Sequence, residues 1–234
     1  MTIESRLRAD YIRARSKAEK SDRRRKILDT ATNLVLEGSL EDLSIATLAR
    51  RSGIAKGTIY LYFETKFDVI DHLLLDSLVS WSNMMVEQIH GEITDTEFTD
   101  LFWSCTRSNQ LTMMLTNVIS ARGLYSQPAA KIHEFQLVRE DILIDLMHLM
   151  EDCLNLPKGG GGFALMALFA FICGVTQQDF SVMAPDAELP EDFWRHSVPS
   201  EDLFRRSAPG IIAASRSYER RPNASAEQPE QEIV

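Results

Sequence analysis

Residues 50–66, RRSGIAKGTIYLYFETK, constrain this chain more than any other stretch. They predict the end of one short helix, a tight turn, a second short helix and the start of a third. The turn falls on Gly53, and a two-helix corner needs a residue free to take φ > 0. Beyond it, Ile54, Ile59 and Phe63 recur at about one-turn spacing and give the second helix a buried side. The opposite side carries Lys56, Thr58, Tyr60, Leu61 and Tyr62. A solvated face prefers Glu, Lys and Gln. A cation, hydroxyls and two phenols suit a nucleic-acid groove instead, because they bond phosphate oxygens and base edges and pack on thymine methyls.

The surroundings sharpen this reading. Ile27, Leu28, Ala31, Leu34 and Val35 form one apolar stripe of a first helix over 22–37, and Gly38 is placed to end it. Ser44 reads as the N-cap of a second helix whose Ile45, Leu48 and Ala49 face inward. Residues 23–70 carry ILDTA in the first helix, the glycine after it, the Ser-led second helix and GTIYLYF followed by a lysine. In those features the segment resembles the DNA-binding domain of the TetR/AcrR family of bacterial transcriptional regulators. The rest of the chain has no comparable motif.

The net charge of −9 argues against a nucleic-acid binder until its distribution is examined. Residues 1–66 hold 14 Lys+Arg against 9 Asp+Glu, a surplus of five, so residues 67–234 hold 11 against 25. A basic head on an acidic body fits one DNA-facing domain. Across residues 1–26, ten Lys+Arg face four Asp+Glu. That arm is either a solvated, frayed helix or a segment that follows the phosphate backbone. Cys105, Cys153 and Cys173 are widely spaced in apolar surroundings and read as buried small hydrophobes, not as a disulfide framework or zinc site. No apolar leader opens the sequence, and the longest apolar run, residues 163–175, is short for a bilayer, so a cytoplasmic location is expected.

No strand-like alternation of useful length occurs, which makes the expected fold all-α, with about nine helices. The expected organisation is a basic N-terminal arm over 1–21, a three-helix helix-turn-helix domain over 22–66, a larger helical domain over 67–217 and a disordered tail over 218–234. In the larger domain, helices are expected over 66–89, 97–109, 110–122 and 128–156. Gly159 to Gly162 read as a flexible loop, followed by an apolar helix over 163–183 and a last helix over 200–216, weakened at Pro209–Gly210. Asp141, Asp145, His148, Asp152 and Asn155 share one side of the 128–156 helix, a spacing that suits a solvent-facing stripe better than a metal site.

The resemblance implies site roles. Lys56, Gly57, Thr58 and Tyr60 would approach bases, and Thr47, Tyr62 and Lys66 would hold the DNA backbone, with Leu61 on the same face. A short recognition helix reads few base pairs, so a two-fold dimer on a palindromic operator is the natural design. By resemblance, the dimer would form through 163–183 and 200–216 as a four-helix bundle. The family's body usually encloses an apolar pocket, for which Trp81, Met84, Met85, Phe102, Trp103, Met113, Met114, Tyr125 and Phe135 are the candidates. The expected activity is a repressor released from DNA by a hydrophobic small-molecule effector. A binding or interaction protein, or an activator with the same head, stays open. No cofactor, metal, membrane partner or enzymatic activity is expected, since no phosphate loop or nucleophile–base cluster is present.

Overall fold

The computed structural model describes residues 3–38, 40–118, 128–177 and 198–219. Tyr125, residues 178–183 of the expected dimer face and residues 220–234 of the expected tail lie outside them. Among the described residues there are nine α-helices and no strand, as the sequence pattern predicts. They are α1 Ile3–Glu37, α2 Ile45–Ser52, α3 Lys56–Tyr60, α4 Lys66–Gln88, α5 Asp95–Ser108, α6 Gln110–Val118, α7 Ala129–Cys153, α8 Gly160–Gln177 and α9 Ser200–Ser215. A short 3-10 turn, Leu40–Asp42, joins α1 to α2.

The first helix begins about nineteen residues earlier than the apolar stripe suggests. The reason is intrinsic. From Ile3 to Glu37 the chain has no Gly or Pro and is rich in Arg, Lys, Glu and Ala, all strong helix formers. At about 1.5 Å per residue, α1 is roughly 50 Å long.

The chain forms two compact units, residues 1–80 with 109–139 and residues 81–108 with 140–234. In the first, α1 packs on α2 and α2 on α3. Ile27, Ala31, Val35, Leu43, Leu48 and Ile59 are wholly buried, and Phe63 nearly so. In α4, Val69, Ile70, Leu73 and Leu74 add to this core, and the His72 ring meets Phe63 edge-on at 5.5 Å between centroids.

In the second unit, α9 packs on both α5 and α8. Its centre is a set of rings in contact. Trp81 meets Phe102 and Phe169 at 5.3 and 4.8 Å, Phe102 stacks on Phe204 at 5.8 Å, and Trp103 and Phe171 also meet Phe204. Offset and edge-on rings at these spacings contribute beyond their buried area. The buried Trp81 Nε1–H donates to Thr106 Oγ1 at 3.1 Å, so the indole enters the core without an orphaned donor. Arg216, just past α9, donates to both carboxylate oxygens of Asp95 at the start of α5 and to the Leu154 carbonyl at 3.1 Å.

Two expectations need correction here. Gly160, Gly161 and Gly162 are not loop but the first turn of α8. Gly161 is there for space: a Cβ on it would lie 2.0 Å from the Met147 carbonyl oxygen of α7, so the backbone of α8 crosses that helix with no room for a side chain. Low helix propensity is outweighed by close packing. Nor does Pro209–Gly210 break the last helix. The structure carries α9 unbroken through Pro209, whose ring is half-buried, while Phe204, Ala208 and Ile212 anchor its buried side. Eighteen residues with mean hydropathy 1.6 make α8 long and apolar enough to cross a bilayer by length and composition, but 56% of it is buried within the fold. Core helices meet the same criterion. Asp141, Asp145, His148, Asp152 and Asn155 are all exposed, as a solvent-facing stripe requires.

Candidate nucleic-acid interface

The corner at residues 44–65 is built from local chemistry. Ser44 caps α2 in an extended conformation (φ −136°, ψ 155°), and its Oγ accepts from the Thr47 amide at 3.0 Å. Gly53 closes the helix in the left-handed region (φ 68°, ψ 19°) and donates to the Ala49 carbonyl at 3.0 Å. That conformation disfavours any residue with a Cβ, which explains the glycine at this position. Next, α3 is only five residues long, too short to be stable alone. It is held by Ile59, which is fully buried, and by Phe63, 1% exposed.

Anchoring those two side chains turns the rest of α3 outward. Lys56, Gly57, Tyr60 and Leu61 are exposed, with Tyr60 at 47% and Leu61 at 77%, and Thr58 and Tyr62 are half-buried. An exposed Leu beside an exposed Tyr is a poor solvent surface and a good groove surface. The Lys56 Nζ lies 5.9 Å from the centre of the Tyr60 ring, which groups cation and phenol at one end of the helix. A Cβ on Gly57 would meet nothing within 4 Å, so packing inside the protein does not demand a glycine there. Thr47 is half-buried, and its hydroxyl lies 2.9 Å from Ser44 Oγ, so it supports the cap as well as facing outward. Lys66 is exposed at the first position of α4.

The start of α4 shows what sequence reading missed. Thr65 and Asp68 form a reciprocal cap: the Thr65 amide donates to Asp68 Oδ2 at 2.8 Å and the Asp68 amide to Thr65 Oγ1 at 3.2 Å. Lys131 of α7 then bonds both Glu64 at 2.8 Å and Asp68 at 3.1 Å. Burial works to raise the Asp68 carboxyl, but the bonds from Lys131 and Thr65 outweigh it and hold the group below its ordinary value. The Thr-x-x-Asp cap was readable in the sequence. The lysine, more than sixty residues away, leaves no local signal. Basic side chains also reach this corner from α1: Lys20 Nζ lies 6.0 Å from the Tyr62 ring centre and Arg24 Cζ 5.8 Å from that of Phe63.

The candidate effector residues within the described part of the chain are divided between the two units. Trp81, Met85, Phe102 and Trp103 are buried in the second unit, three of them in the ring cluster, and Met84 is half-buried there. Met113, Met114 and Phe135 belong to the first unit, where Met113 is buried and the other two are half-buried.

Residues 27–73 match the family model described as bacterial regulatory proteins, tetR family. The chain is 31% identical over 71 residues to the fatty acid metabolism regulator protein of Bacillus subtilis (strain 168), a stretch covering 30% of this chain and 37% of that one. It is 35% identical over 99 residues to the HTH-type transcriptional regulator EthR of Mycobacterium tuberculosis (strain ATCC 25618 / H37Rv), covering 42% of this chain and 45% of that one. The matched stretch spans less than half the length of either relative. A solved structure, the fatty acid degradation regulator FadR from Bacillus halodurans, aligns over 80% of this chain and 93% of its own, with a TM-score of 0.49 and 17% identity. Likeness at that level adds nothing to the assignment. The capped α2, the glycine corner and the outward face of α3 all lie within residues 27–73, the stretch that is similar to the tetR family of bacterial regulatory proteins.

Proposed function

We propose that the chain is a transcriptional regulator that binds double-stranded DNA through α3, and that it acts as a dimer on a palindromic operator. The observation that carries this reading is the outward face Lys56–Gly57–Tyr60–Leu61, held rigidly by the buried Ile59 and Phe63 behind it. Lys56, Gly57, Thr58 and Tyr60 approach base edges. Thr47, Tyr62 and Lys66 engage phosphates, and a cation at the first position of α4 adds charge where backbone amides already favour an anion. A five-residue helix contacts too few bases for useful selectivity, so two heads about 34–36 Å apart are required.

The dimer face we assign to α8 and α9. On α8, Phe163 (44% exposed), Met166 (47%), Ala170 and Gly174 line one outward side. On α9, Gly210, Ala213 and Ala214 do the same. Apolar and small residues at helical spacing suit a helix–helix interface with a second copy. Release by a hydrophobic effector is drawn from the same reading. Its support is Thr112 on α6: the wholly buried Oγ1 is without a hydrogen-bond partner among the described residues, on a helix that also carries the adaptable side chains of Met113 and Met114. Repression is the outcome of operator occupancy at a promoter.

The test is selection of genomic fragments by the purified protein. A palindrome with half-sites about one helical turn apart is expected. On that site Tyr60→Ala and Lys56→Ala should each weaken binding by roughly 1–3 kcal/mol, with the dimer intact. Unchanged affinity in both variants refutes the role of α3.

A further inference from the structure

We infer that Lys131, at the start of α7, is a charge-compensating residue for DNA binding: it neutralises two carboxylates, Glu64 and Asp68, in the corner from which Tyr62 and Lys66 engage phosphates. The inference rests on the DNA-binding reading above and goes beyond it, and all of these residues belong to the first unit. Between Tyr62 and Asp68 the chain carries Glu64, Lys66 and Asp68, a net charge of −1. Glu64 stands two residues from each of Tyr62 and Lys66, and its side chain is 78% exposed. Asp68 is committed to the reciprocal cap with Thr65, so a carboxylate is fixed in the first turn of α4. The amides of that turn favour an anion, and Asp68 already supplies one. Left alone, the two carboxylates oppose the phosphate that the corner is to hold, because Coulomb repulsion reaches well beyond contact.

Lys131 meets both. Its Nζ lies 2.8 Å from Glu64 Oε2 and 3.1 Å from Asp68 Oδ1, and with its charge the group sums to zero. Those bonds, Glu64 first, hold the Lys131 amine above its ordinary value, so it stays a cation. Asp68 offers Oδ2 to the cap and Oδ1 to Lys131, which lets the helix keep its acceptor while the charge is offset. Helix formation does not explain a lysine here. It is the third residue of α7, in a first turn that holds no acid, and a cation there opposes the helix dipole. The exposed half of the bridge, to Glu64, contributes little to folding, so its role lies elsewhere. Other cations approach the corner, but onto rings: Lys20 at Tyr62 and Arg24 at Phe63. At His72, packed on Phe63, the charges felt are Arg24 against Asp76, Asp68 and Glu134, so the surroundings supply more acid than base.

The experiment measures affinity for the operator that wild type selects, by fluorescence anisotropy with full-length protein. Three variants are compared with wild type: Lys131→Met, the double variant Glu64→Gln, Asp68→Asn, and the triple variant that adds Lys131→Met to the double. Asparagine keeps an acceptor oxygen for the Thr65 amide, so the α4 cap survives, and thermal unfolding checks each fold. Lys131→Met should bind about tenfold more weakly at low salt, and the deficit should shrink as salt screens the exposed charges. The double variant should bind more tightly than wild type, and the triple variant should recover at least wild-type affinity. A bridge that only holds the fold together predicts the reverse for the double variant, which loses both ion pairs. Three results overturn this inference and leave the regulator reading standing: unchanged affinity in a folded Lys131→Met, a double variant weaker than wild type, or a triple variant as weak as Lys131→Met, the sign of a lysine that itself holds phosphate. Should Lys131→Met not fold, the double variant decides alone. Failure of wild type to select any DNA overturns the regulator reading and this inference with it.

Discussion

Replacing Gly161 with alanine tests how closely α7 and α8 approach. An added Cβ would stand 2.0 Å from the Met147 carbonyl oxygen, 2.9 Å from its carbonyl carbon and 3.0 Å from Glu151 Cγ. An ordinary carbon–oxygen contact is about 3.3 Å or more, so the overlap with backbone exceeds about 1 Å. Backbone cannot swing aside as a side chain can, and the two helices must separate. Overpacking of this kind costs about 3 kcal/mol, the top of the usual range. Gly→Ala in a helix returns about 1 kcal/mol, which leaves Gly161→Ala destabilised by roughly 2 kcal/mol. For a chain of this size that is about 4–8 °C in Tm. The neighbouring Gly162→Ala is the control. Its Cβ would meet Met147 Sδ at 3.4 Å, an ordinary contact, so it should be neutral or stabilised by up to about 1 kcal/mol. Thermal and urea unfolding of both variants decide the matter. A Gly161→Ala protein as stable as Gly162→Ala would refute the close crossing and the reason given for glycine in α8.

Three further predictions follow from the described geometry. Because the folded Asp68 carboxyl lies below its ordinary value, its contribution to stability is present at neutral pH and is lost as pH falls below about 3.8; Asp68→Asn should flatten acid unfolding there, and Lys131→Met should move it to higher pH. Burial pushes the Cys153 and Cys173 thiols up to about 11, so a thiol reagent at pH 7.5 should label neither in the folded protein and label both in denaturant. A Cβ at Gly174 or Gly210 would meet nothing within 4 Å in one protomer, so Gly→Ala there should weaken the dimer by equilibrium sedimentation if a second copy covers that face; retained dimer with a protomer stabilised by about 1 kcal/mol would place the interface elsewhere.

The helix-turn-helix corner was legible because its signals are local. Ser44, Gly53 and the Ile59–Phe63 pair act within a few residues of themselves, and each does in the structure what its chemistry predicts. The errors lie where distant packing overrules local preference. Gly160 to Gly162 and Pro209 are helix breakers by propensity, and they stand in helices because α7 presses on α8 and because Phe204 and Ile212 hold α9. Lys131 was invisible for the same reason: its partners Glu64 and Asp68 meet it only after the chain has folded back. The effector candidates were chosen by residue type, and type does not separate a lining from a core. Trp81, Phe102 and Trp103 stand among packed rings, and the hydroxyl of Thr112, without a hydrogen-bond partner among the described residues, carries no mark in the sequence.

The five-residue length of α3 has a consequence for how such a head changes over time. Its buried anchors are Ile59 and Phe63, and the positions aimed outward, 56, 57, 60 and 61, are exposed. Substitutions at those four positions are therefore nearly free of stability cost, while each alters the surface offered to a base edge. On the DNA-binding reading proposed above, new operators are then within reach of single substitutions in a scaffold that stays folded throughout, so a duplicated copy of this gene could diverge in target long before it diverges in architecture.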